Sequence, residues 1–98
     1  MPGSEPGGVR PQLLVVLYHA QGCHLCARAL AQVRALREEL GFELDEVDVG
    51  GDPELAARYR ELIPVVEIDG ERAFVYHVDA GAFRRRVAAA DLAESRGS

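Results

Sequence analysis

Leu13-Leu14-Val15-Val16-Leu17-Tyr18 is apolar at every position. A strand buried on both faces reads this way, which predicts a central strand with helices above and below it. After the loop His19-Ala20-Gln21-Gly22, residues Cys26, Ala29, Leu30, Val33, Leu36 and Leu40 recur at three- and four-residue spacing, with Arg28, Arg34, Arg37 and Glu38 mostly opposite. That is an amphipathic helix, and Gly41 is a natural stop just past it. The stretch from Phe42 to Val49 is more polar and alternates imperfectly, so it predicts an edge strand whose acids discourage pairing with other chains. Gly50-Gly51 breaks the chain. Asp52-Pro53-Glu54 then opens a second helix with a capping carboxylate, a first-position proline and a first-turn acid. This helix should run to about Arg60, with Leu55, Tyr59 and Leu62 inward. Val65-Val66-Glu67-Ile68 is a short strand, Asp69-Gly70 a two-residue hairpin turn, and Arg72 to Tyr76 the returning strand. Asp79 can cap a last helix that carries Phe83, Val87 and Leu92 inward and Arg84, Arg85 and Arg86 at its surface.

The order is therefore β-α-β-α-β-β-α, an α/β fold whose first half is a right-handed βαβ unit with parallel strands. Both ends are polar and rich in Gly, Ser and Pro. Residues 1–11 and 94–98 read as loose tails around one domain, residues 12–93. A hydrophobic fraction of 48% argues against disorder. The net charge of −5 speaks against nucleic acid or an anionic membrane as a partner. All eleven basic residues are arginine, which excludes mechanisms that need a lysine amine. No apolar run approaches a membrane span or a secretory leader, so the chain reads as cytoplasmic, and as a monomer.

Cys23-His24-Leu25-Cys26 contains both cysteines of the chain. It stands where a buried strand ends, a loop turns and a helix begins. In a reducing compartment such a pair is more often catalytic or metal-binding than structural. The first sulfur falls at the helix N-terminus, where free N–H groups and the helix dipole stabilise a thiolate. The second falls on the apolar stripe one turn further in, so Cys23 should be exposed and Cys26 buried. Cys23 is then the nucleophile and Cys26 the resolving thiol. His24 is the one ionisable residue inside the motif and, when protonated, would favour the Cys23 thiolate. His19, His24 and His77 match no common zinc spacing, so no metal is assigned.

Together, Val15-Val16-Leu17-Tyr18, the Cys23–Cys26 motif, Asp48, Asp52-Pro53-Glu54, Ile63-Pro64-Val65 and Asp69-Gly70 resemble the glutaredoxin-like families of the thioredoxin fold, closest to the short bacterial glutaredoxin-like proteins. The resemblance spans about residues 12–90. It implies a thioredoxin-like, glutaredoxin-type fold, with a four-stranded mixed sheet in the order 4-3-1-2, strand three antiparallel to the others, flanked by three helices. It also implies that Pro64 is cis and faces the cysteines, and that the Ile63 backbone pairs with a bound peptide or glutathione. Ala20 stands where classical glutaredoxins carry a lysine. His24-Leu25 replaces their Pro-Tyr. In the region that should hold glutathione only Asp79, with Gly81, is suited to the task.

The reading is a dithiol-disulfide oxidoreductase that reduces disulfides of proteins or small thiols, with Ile63, Pro64 and Asp79 shaping the substrate groove. It needs no cofactor beyond glutathione as a co-substrate. Two other classes stay open: a thioredoxin-fold adaptor that holds a partner without turnover, and a metal or iron–sulfur carrier using the same cysteines.

Overall fold

The computed structural model describes residues 13–97, with side chains through residue 92. The elements are β1 (Leu14–His19), α1 (His24–Leu40), β2 (Glu43–Asp48), a 3₁₀ turn (Val49–Gly51), α2 (Pro53–Tyr59), β3 (Val65–Ile68), β4 (Glu71–Val75) and α3 (Ala80–Gly97). The sheet order is β2-β1-β3-β4. β1 and β2 are parallel, while β1–β3 and β3–β4 are antiparallel. This is the mixed thioredoxin-like sheet that the resemblance implied, with the acid-rich β2 at one edge.

Strand pleating separates two cores. On one face Leu13, Val15 and Leu17 join Val66 and Ile68 beneath α1 and α3, which contribute Ala29, Val33, Leu36, Phe83 and Val87. Each of these larger side chains removes enough apolar surface to stabilise the fold by about 1.5–3 kcal/mol. On the other face Tyr18 and Val65 pack with Val49, Leu55, Tyr59 and Leu62 around α2. The Tyr18 and Tyr59 rings stack with centroids 4.2 Å apart.

β1 is not buried on both faces along its whole length. Leu14 is 38% exposed and Val16 half-buried. The cause is the size of α2: seven residues span roughly 10 Å at 1.5 Å per residue, enough for Tyr18 and Val65 only. Leu92, expected inward, is 62% exposed. At 18 residues, α3 is roughly 27 Å long and overshoots strands of four to six residues. The helix also continues to Gly97, past the domain end expected at residue 93. The expected N-terminal tail, residues 1–11, lies outside the described residues.

Local chemistry places the element ends. Gly41, at φ 87°, donates its N–H to the Arg37 carbonyl and closes α1. Asp52 Oδ1 accepts from the N–H groups of Glu54 and Leu55 at 2.9 and 3.3 Å. Asp69 and Gly70 both have positive φ, as a two-residue hairpin turn requires. The arginines are less idle than their exposure implied. Arg34 makes a two-pronged ion pair with Glu46 of β2, at 2.6 and 2.7 Å. Arg84 does the same with Glu39 of α1, at 2.8 and 3.0 Å. These pairs hold the Glu46 and Glu39 carboxyls below the usual range through the arginine hydrogen bonds.

Candidate functional site

The cysteine motif sits where β1 gives way to α1. The turn before it uses Gly22 at φ 77°. Cys23 is the N-cap residue of α1, in extended conformation, and its Sγ accepts a hydrogen bond from the Cys26 N–H at 3.1 Å. A thiol thus stands where Ser, Asp or Asn usually satisfies the first free donors of a helix. The first turn of α1 carries no acidic residue, so nothing there competes with the sulfur for the positive end of the helix. Cys23 is half-buried, whereas Cys26 is 1% exposed. His24 and Leu25 face outward.

The Cys26 thiol is pushed well up from its ordinary range. Burial is the largest cause, and its hydrogen bond and charge interaction with Cys23 add to it. A backbone hydrogen bond with Ala20 pulls the other way. Cys26 is held as a neutral thiol while Cys23 is free.

The Ile63-Pro64 segment meets this end of the sheet from the other side. Tyr18 of β1 pairs with Val65 of β3, which sets Pro64 beside the end of β1 where His19 leads to the cysteine turn. The Ile63–Pro64 peptide is cis, Pro64 is fully buried and Ile63 half-buried. Tyr76, the first residue beyond β4, donates its N–H to the Pro64 carbonyl at 2.8 Å and its hydroxyl to the Glu61 carbonyl at 2.9 Å. Asp79 is exposed, and its Oδ1 accepts from the Ala82 N–H at 2.9 Å. It caps α3, a structural task within that helix, and among the described residues no hydrogen bond links it to the cysteines. On the β2 side, Ala20, Gln21, Asp48, Gly50 and Gly51 line an open groove of about 470 Å³.

Tyr76 carries no signature in the sequence, since an aromatic at the end of a strand is unremarkable. The second cluster that sequence reasoning passed over lies under α2. There the Tyr59 hydroxyl donates to Glu67 Oε2 at 3.1 Å. Burial, followed by its hydrogen bond with Tyr59, raises Tyr18 to about 12. Among the described residues no group of three or more His, Cys, Asp or Glu could hold a metal ion, and no helix is long and apolar enough to cross a membrane.

The model of a glutaredoxin-like domain (DUF836) matches residues 14–94. An uncharacterized protein of Mycobacterium tuberculosis is 36% identical over 84 residues, covering 81% of this chain and 84% of that protein. The solution structure of a Nitrosomonas europaea protein superimposes with a TM-score of 0.66 at 26% identity, covering 88% of this chain and 98% of that one. Fasciola hepatica thioredoxin does so with a TM-score of 0.58 at 28% identity, covering 82% of each chain.

Proposed function

The chain belongs to the glutaredoxin-like domain family, and from that membership and the sulfur geometry we propose that it is a dithiol-disulfide oxidoreductase. The observation that carries this reading is the Cys23 Sγ at the N-cap of α1, 3.1 Å from the Cys26 N–H, with the Cys26 side chain buried behind it. A helix-end N–H group is aimed at the Cys23 sulfur, and a thiolate is what attacks a disulfide.

The Cys23 thiolate attacks one sulfur of a substrate disulfide, forming a Cys23–substrate bond and expelling the other sulfur as a thiolate. Cys26 then loses its proton to solvent and attacks Cys23 Sγ. The intramolecular disulfide forms, the second substrate thiolate leaves, and two electrons have passed from protein to substrate. The order of the steps is built in. Two of the interactions that keep Cys26 protonated come from Cys23, and both are lost once Cys23 is covalently occupied. The Ala20 backbone hydrogen bond, which favours the Cys26 thiolate, persists. Half-buried Ile63, seated on the buried Pro64, borders the surface at this end of the sheet on which substrate would lie. Asp79 is less well suited to hold substrate, with one oxygen engaged in capping. His24, exposed next to the nucleophile, adds a positive charge when protonated. The substrates are disulfides of proteins or small thiols, glutathione among them, in a reducing compartment.

The test is redox titration of the pair against glutathione and dithiothreitol, with mass spectrometry of variants. Cys26→Ser should accumulate a mixed disulfide on Cys23, and Cys23→Ser should lose turnover altogether. Turnover retained by Cys23→Ser, or failure of the wild-type pair to form a disulfide, overturns the reading.

A further inference from the structure

Among the described residues five have left-handed backbone: Gly22, Gly41, Gly70, Asp69 and Tyr76. Three are glycine, which adopts this conformation without penalty. Asp69 sits in a hairpin turn, where Asp is favoured. Tyr76, at φ 69°, has no such excuse, because a bulky L-residue pays for this conformation. What accompanies the strain is two hydrogen bonds to one neighbouring segment. The Tyr76 N–H bonds to the Pro64 carbonyl and the Tyr76 hydroxyl to the Glu61 carbonyl, so one residue grips the 61–64 stretch at both ends. The left-handed turn lets it do so. It takes the chain off β4, through a tight turn in which the His77 N–H meets the Val75 carbonyl at 2.7 Å, and leaves the Tyr76 ring at the surface, 42% exposed. The gripped stretch contains Ile63 and Pro64, which stand at the same end of the sheet as Cys23.

We propose that Tyr76 is a positioning residue for disulfide exchange, fixing the 61–64 segment as the wall against which a substrate disulfide is presented to Cys23. This rests on the oxidoreductase reading above. Tyr76 touches neither sulfur of the motif through any bond described, so its effect belongs in substrate binding and leaves the nucleophile unaltered.

Two variants separate the hydroxyl from the backbone strain. Tyr76→Phe keeps the ring and the main-chain bond but drops the bond to Glu61. Tyr76→Gly relieves the strain but removes the side chain. The assay is steady-state reduction of a disulfide-bonded peptide, with the rate of Cys23 alkylation by iodoacetamide and the thermal midpoint measured alongside. Tyr76→Phe should raise KM about five-fold, the value of one ordinary hydrogen bond. Tyr76→Gly should raise it by about ten-fold or more, as a loosened wall loses binding in the transition state as well. In both variants kcat and alkylation should stay within about two-fold of wild type, and Tyr76→Gly should melt no lower than Tyr76→Phe. KM values unchanged in both, or losses that track the thermal midpoint, overturn the role of Tyr76. A wild-type protein that alkylates rapidly yet reduces no disulfide removes the reaction itself, and with it this role.

Discussion

The two ends of the sheet follow different rules. At the end away from the cysteines, conformational preference and structure agree. Gly41 takes the left-handed cap of α1, and Asp69-Gly70 makes the hairpin. The strands are knitted there by Leu13 carbonyl to Glu43 N–H, Leu14 carbonyl to Asp69 N–H, and Leu14 N–H to Asp69 Oδ1. At the cysteine end preference is overridden twice. A thiol caps a helix where an oxygen would cap better, and a tyrosine occupies left-handed backbone. Departures from local preference gather where a chain has chemistry to perform, and the well-behaved remainder of the fold tolerates them.

This contrast can be attacked experimentally. The largest effect belongs to Cys23→Ser. Turnover should vanish while stability in urea holds or rises by up to about 1 kcal/mol, because serine is the better N-cap. A marked loss of stability would mean that the thiol was chosen for structure. Next, Gly41→Ala at the opposite end should cost about 1–2 kcal/mol from its left-handed backbone alone, with alkylation of Cys23 unaffected. The positive φ is the only obstacle there, since open space surrounds the position. A smaller effect concerns pH. The Cys26 thiol titrates higher folded than unfolded, so its contribution to stability is complete below the unfolded value of about 8.5 and is lost as pH rises from there towards the folded value. The reduced protein should therefore weaken in alkali, and Cys26→Ala should flatten that slope in urea titrations. The smallest effect is expected of His24→Ala, which removes the one ionisable side chain between the two cysteines and should slow Cys23 alkylation slightly. A rate equal to that of wild type would remove His24 from the site.

What could be read in advance was local. The Cys23–Cys26 helix start, the Asp52 cap and the Asp69-Gly70 turn depend on neighbours a few residues away, and all three lie where the sequence pattern put them. Leu14 and Leu92 could not be judged that way. Their exposure follows from how far α2 and α3 reach across the sheet, a property of element lengths in three dimensions. Tyr76 was invisible for a different reason. Its grip on Glu61 and Pro64 spans fifteen and twelve positions of chain, and no residue pattern marks an aromatic in left-handed backbone. Arg34 and Arg84 looked like solvated charge until the fold brought a carboxylate to each.

Those two arginine pairs bias the register of α1, whose seating rests mainly on its buried Cys26, Ala29, Val33, Leu36 and Leu40. The helix lends a cation, Arg34, to the neighbour on one side and an anion, Glu39, to the neighbour on the other. As isolated surface pairs they add little to stability. Sliding α1 by one turn, however, would bring Glu38 level with Glu46 and set like charges against each other. The setting of the Cys23 sulfur at the helix mouth is thereby biased, weakly, from Arg34, eleven residues away, roughly 16 Å along the helix.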